Sequence, residues 1–168
     1  MHLEFGKYWT LITSVFSHNL LFHLLINMFA FYGFGIALET ILGSKRFLIF
    51  YLFAGIIGSF GHCFVSTYIL NNPTIPALGA SGAVSGVILL FSLMFPREKI
   101  LILGILPIPA IFGALLFVAF DIWGVIDQSR GGTLPIGHGA HLGGAFFGLC
   151  YYLFFVKRKL RPFGNGVG

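Results

Sequence analysis

Five apolar stretches, separated by short loops that hold most of the charge, constrain this chain more than any other feature. A bilayer core about 30 Å thick needs roughly 20 apolar residues of helix, because backbone groups in hydrocarbon must bond within their own segment. The stretches run over 20–42, 47–70, 81–95, 109–125 and 138–156. With 57% hydrophobic residues and only 9% charged, the 168-residue chain lacks the polar surface of a soluble domain. It reads as an all-α polytopic membrane protein. One integral domain covers 1–163, a flexible Gly-rich tail covers 164–168, and the lipid bilayer is the first partner. The net charge of +5 does not mark a nucleic-acid partner, since the Lys and Arg residues form clusters between spans rather than a stripe.

Those clusters set the topology. Lys45 and Arg46 follow the first span, Arg97 and Lys99 the third, and Lys157, Arg158, Lys159 and Arg161 the fifth. By the positive-inside rule these loops share the cytoplasmic side, while Lys7 and Arg130 lie opposite. The third stretch is short for a crossing, so its N-terminal turn starts below the membrane surface. Such a start is tolerated where backbone lines a cavity. Between the third and fourth spans, Ile100 to Leu106 is apolar but is followed by Pro107 and Pro109, which predicts an interfacial segment and a helix beginning at about Pro109.

Polar residues inside spans are expensive and therefore point to function. Gly79-Ala80-Ser81-Gly82 places a serine where a loop turns into the short third helix. Free N–H donors beside a hydroxyl suit a nucleophile with an oxyanion hole, and they equally suit a helix cap flanked by packing glycines. His141 precedes Gly144 by about one turn, and Gly144 and Gly148 form a GxxxG pair, so His141 sits on a face that a neighbouring helix approaches closely. It can serve as a general base or as a packing hydrogen bond. His23 and Asn27, at i and i+4, share one face and can donate to an oxyanion or join helices. All three signals lie near the outer ends of their spans.

The remaining polar positions carry less. His138 and His141 have metal-like spacing, but no cysteine or carboxylate matches them in sequence and HExxH is absent, so no metal is expected. Asp121 precedes His141 by a full loop and is not expected to serve as a third catalytic member. Glu39 is expected to bond within the turn leading to Gly43, and His18 and His62 to be hydrogen-bonded structural residues. Cys63 and Cys150 read as small buried side chains.

Taken together, His18, His23-Leu24-Leu25-Ile26-Asn27, Glu39 with Gly43, Gly79-Ala80-Ser81-Gly82, and Ala140-His141-Leu142-Gly143-Gly144 with Gly148 resemble the rhomboid family of intramembrane serine proteases, over residues 5–156. The resemblance implies a rhomboid-like helical bundle, with five of the usual six transmembrane helices present and the first lacking. It implies Ser81 as nucleophile and His141 as base of a dyad without an essential aspartate. His23, Asn27 and the Ser81 N–H would form the oxyanion hole, with Gly79, Gly82, His18, Glu39, Gly144 and Gly148 in support. Substrates would be transmembrane segments of other membrane proteins, with no cofactor. The expected location is a prokaryotic inner membrane, with the site extracytoplasmic. One departure is Ser85, where the best-known bacterial members carry a tyrosine stacked on the histidine. Either another aromatic supports His141 or the base is less well held. The rival readings are an inactive rhomboid-like adaptor or chaperone binding transmembrane helices, and a small transporter or haem-binding protein using histidines and Asp121.

Overall fold

The computed structural model describes residues 8–76, 78–102 and 105–157, so Arg158, Lys159, Arg161 and the expected tail at 164–168 lie outside the described residues. A short helix α1 (Thr10–Thr13) runs into a 3-10 turn at Ser14–Phe16 and is followed by α2 (Leu21–Leu42). Next come α3 (Ser44–Phe64), extended by a π turn over Val65–Ile69, and the short α4 (Ser81–Met94). A hairpin of β1 (Lys99–Ile102) and β2 (Leu106–Pro109) leads to α5 (Ala110–Ser129). The last helix, α6 (His138–Tyr151), is extended by a π turn over Tyr152–Val156.

Among the described residues, four helices are long and apolar enough to cross a membrane, at 22, 26, 20 and 19 residues including the π turns. The fifth, α4, has 14 residues, about 21 Å at 1.5 Å per residue, less than a bilayer core. It sits at the centre of the bundle and touches α2, α3, α5 and α6. Its Ala83, Val87 and Leu90 are fully buried, while α2 turns Phe22, Phe29 and Tyr32 outward. The hydrophobicity of α2 on all sides thus serves lipid on one face and the core on the other.

The segment read as interfacial is a hairpin. Its register pairs Ile100 with Ile108 and Leu101 with Pro107. Proline cannot donate to a ladder, so Pro107 and Pro109 take the positions whose N–H would point away from the partner strand. The Ala110 N–H bonds to the Glu98 carbonyl (2.7 Å), which fixes where α5 starts. That helix continues past the expected Val125 to Ser129.

Glycines set how close the helices come. A Cβ on Gly148 would lie 2.6 Å from the Gly86 carbonyl oxygen, and one on Gly144 would collide with the Gly82 carbonyl. On the adjacent face of α6, where it meets α3, Cβ atoms on Gly61 and Gly143 would lie 2.5 Å and 2.6 Å from the carbonyls of Gly139 and Ile57. One helix therefore packs backbone to backbone on two neighbours, α4 and α3. Gly144→Ala should force α4 and α6 apart and destabilise the protein by about 1–3 kcal/mol. Gly33→Ala, with nothing within 4 Å, should be neutral or stabilising by up to about 1 kcal/mol. Thermal unfolding midpoints in detergent compare the two variants.

Candidate active site

The N-terminal end of α4 is held from three directions. The segment before α2 is fixed to α3 by the Ser59 hydroxyl donating to the Leu11 carbonyl (3.0 Å) and by Val15 packed on Gly55. From there the Ser14 carbonyl accepts the Gly79 N–H (2.9 Å). Gly79 has φ +115, and a Cβ there would lie 2.6 Å from His23 Cε1, so both its backbone and its contact with the His23 ring call for glycine. Ser81 is the first residue of α4. Next to it, Gly82 lies against the Ala140 carbonyl and Gly58, which brings the starts of α4 and α6 together on α3.

His18 ties the loop to α2. Its Nε2 faces the Ala80 N–H at 3.3 Å and Asn27 Nδ2 at 3.3 Å. With two N–H groups directed at it, this nitrogen is the acceptor and the ring proton sits on Nδ1. Buried Asn27 also donates from Nδ2 to the His23 carbonyl (3.0 Å). His23 meets His18 edge to face at 5.2 Å. Both protons of the Asn27 amide are thus engaged. The expected bonding of His62 is present too, with Nε2 2.9 Å from the Ile75 carbonyl. At Glu39 the turn contact is made by the backbone, its carbonyl accepting the Gly43 N–H (2.8 Å).

On α6 the structure departs from the expectation. Asp121 belongs to the cluster: its Oδ1 lies 2.9 Å from His141 Nδ1 and 2.7 Å from His138 Nδ1. Sequence distance concealed this, because α5 and α6 are joined by a loop that folds back along α5. Gln128 Nε2 donates to the carbonyls of Leu134 and Ile136 (2.9 Å each), which carries the chain down before α6 begins. The available signal was the charge itself, since a carboxylate inside a span needs a partner and two histidines lie on the next helix. A carboxylate therefore does join the two histidines, with ligand atoms within 4.8 Å of one another, and hydrogen bonds account for both close contacts.

Aromatic support for His141 comes from α5. Phe117 stacks on the ring at 5.4 Å and 27°. Ser85, in the position of the family's tyrosine, turns inward and donates to the Ser81 carbonyl (2.7 Å). Among the described residues, the Ser81 hydroxyl makes no hydrogen bond, to His141 or to any other group.

Residues 6–158 match the rhomboid domain family. The chain belongs to the rhomboid family. It is 37% identical over 150 residues to rhomboid protein 1, mitochondrial, of Saccharomyces cerevisiae, covering 88% of this chain and 42% of that protein. It is 33% identical over 163 residues to presenilin-associated rhomboid-like protein A, mitochondrial, of Danio rerio, covering 90% and 39%. With RHOMBOID-like protein 12, mitochondrial, of Arabidopsis thaliana the identity is 31% over 152 residues, covering 83% and 44%. The chain thus spans less than half the length of these relatives. No solved structure matches it significantly. The mitochondrial relatives overturn the expected prokaryotic membrane, since positive-inside clustering fixes which ends share a side and not which membrane holds them.

The His138 ring lies against Gly124, where any Cβ would overlap it. Gly124→Ala should push His138 off Asp121 and destabilise the protein by about 1–3 kcal/mol, seen as a lower thermal midpoint.

Proposed function

We propose that this rhomboid is an intramembrane serine endopeptidase that cleaves transmembrane segments of other membrane proteins, with Ser81 as nucleophile and His141 as general base. The observation that carries this reading is the glycine-lined contact between the starts of α4 and α6, where Gly82 meets the Ala140 carbonyl and Gly144. Ser81 and His141 are the residues next to Gly82 and Ala140 in the chain. The missing Ser81–His141 hydrogen bond fits a resting site, since such bonds commonly tighten only with substrate present.

In this reading Ser81 Oγ attacks the peptide carbonyl carbon while its proton passes to His141 Nε2. The C–N bond then breaks, and His141 returns the proton to the leaving amine. Water hydrolyses the acyl-enzyme. The negative oxygen of the tetrahedral intermediate takes donors from the Ser81 backbone N–H, His23 and Asn27. Asn27 reaches it by giving up its longer bond, the one to His18 Nε2 at 3.3 Å. Ser81, His23 and His141 all lie near helix ends remote from Lys45, Arg46 and Arg97, which supports a site facing away from the basic loops. The names of the relatives place those proteins in mitochondria, and we assign this chain to a mitochondrial membrane on that basis.

A second reading, capture of transmembrane helices without cleavage as an adaptor or chaperone, draws on the same unbonded Ser81 hydroxyl. A serine-reactive phosphonate separates the two. Covalent labelling at Ser81, together with loss of substrate cleavage in Ser81→Ala, is expected of the protease. An unlabelled Ser81 and unchanged cleavage by the alanine variant would exclude it. Asn27→Ala should slow turnover by about 10² to 10³ with the fold retained, read from kcat on a membrane-embedded substrate beside a thermal melt.

A further inference from the structure

The proposed chemistry leaves one buried acid without a task. Asp121 is 1% exposed and sits within a span, where a carboxylate is among the most expensive side chains. If α5 and α6 needed only a clasp, hydroxyl or amide pairs would supply one without a charge. The carboxylate is instead aimed at the ring of the general base. Its Oδ1 meets the Nδ1 atoms of both His141 and His138, while Oδ2 and the far nitrogen of fully buried His138 have no partner among the described residues. The set is organised around one oxygen and one orientation.

We propose that Asp121 and His138 are positioning residues for the hydrolysis, an inference that rests on the reading of Ser81 and His141 as nucleophile and base. With Asp121 Oδ1 as the common acceptor of the two Nδ1 contacts, the His141 nitrogen facing it carries the ring proton. A neutral imidazole has one such proton. Nε2 is therefore the bare nitrogen, and it is the one that must accept from Ser81. Stacking on Phe117 fixes the plane of the His141 ring but allows the half-turn flip about Cβ–Cγ that exchanges Nδ1 with Cδ2, and the bond to Asp121 selects one of the two orientations. His138 does the same for Asp121, since its Nδ1–H engages the same oxygen and its ring is wedged against Gly124. When His141 takes the proton of Ser81 on Nε2, its Nδ1 proton stays in place beside the carboxylate. The Ser81 proton leaves with the amine, and Asp121 accepts none.

The test uses the full chain in liposomes with a transmembrane substrate. Asp121→Asn keeps the size of the side chain but can present an N–H to His141 and reverse its tautomer. Its kcat should fall by about 10² to 10⁴ with KM little changed, and Asp121→Glu should recover part of the loss. A merely structural aspartate would lower the amount of folded enzyme and leave kcat per labelled Ser81 unchanged. Independently of activity, ¹⁵N shifts of the histidines in the Ser81→Ala chain should show His141 protonated on Nδ1. Should Asp121→Asn fail to fold, this measurement carries the test, and a His141 protonated on Nε2 overturns the proposal. A wild-type chain that cleaves and labels beside an Asp121→Asn chain of undiminished kcat overturns this proposal alone. A wild-type chain that neither cleaves nor labels removes the protease reading and the proposal with it.

Discussion

The architecture depends on how closely α6 can approach two neighbours at once. In lipid, helices gain little from hiding apolar surface from one another, so association relies on close van der Waals contact and small residues. Here Gly139 and Gly143 face Gly61 and the Ile57 carbonyl on α3, while Gly144 and Gly148 face Gly82 and Gly86 on α4. The two glycine pairs fall on adjacent faces of one helix. That doubled contact fixes the rotation of α6, and with it the direction from which His141 enters the site. The same contact lets the short α4 stay buried, with its first turn inside the bundle.

A second constraint follows from the first. Once helix starts are buried, their N–H groups and the polar side chains nearby need partners, since each unsatisfied group costs about 1–3 kcal/mol. The Ala80 N–H turns to His18, the Gly79 N–H to the Ser14 carbonyl, and Asn27 to His18 and the His23 carbonyl. The segment before α2 thus completes the environment of Ser81 although it supplies no member of the proposed dyad. Among the described residues, buried side-chain atoms lack partners at Asp121 Oδ2, His138 Nε2 and Ser92 Oγ, and two of these three belong to the cluster around His141. Unpaired polar atoms held beside a proposed general base fit a site that gives up stability for a fixed geometry.

The spans were legible because membrane thickness sets helix length, and apolar runs report it directly. The brevity of α4 was legible for the same reason. The start of α4 at Ser81 and the GxxxG face of α6 followed from local spacing alone. Asp121 was not legible, because its distance from His141 depends on the path of the loop between α5 and α6, which Gln128 folds back against α5. The hairpin at Lys99–Pro109 escaped notice for a related reason. Prolines told where a helix stops, while pairing depends on a partner strand seven or so residues away.

By itself the sequence determined roughly where the apolar helices lie along the chain and which few polar side chains lie within them. These follow from solvation, which acts residue by residue. Only the tertiary structure decided which of those polar groups meet. Phe117 rather than the residue at position 85 covers His141, and Asp121 rather than solvent holds its Nδ1, because both come from α5, and the packing of α5 on α6 depends on loop path and helix rotation. Contacts between helices in lipid are set by shape, and shape is a property of the assembled bundle.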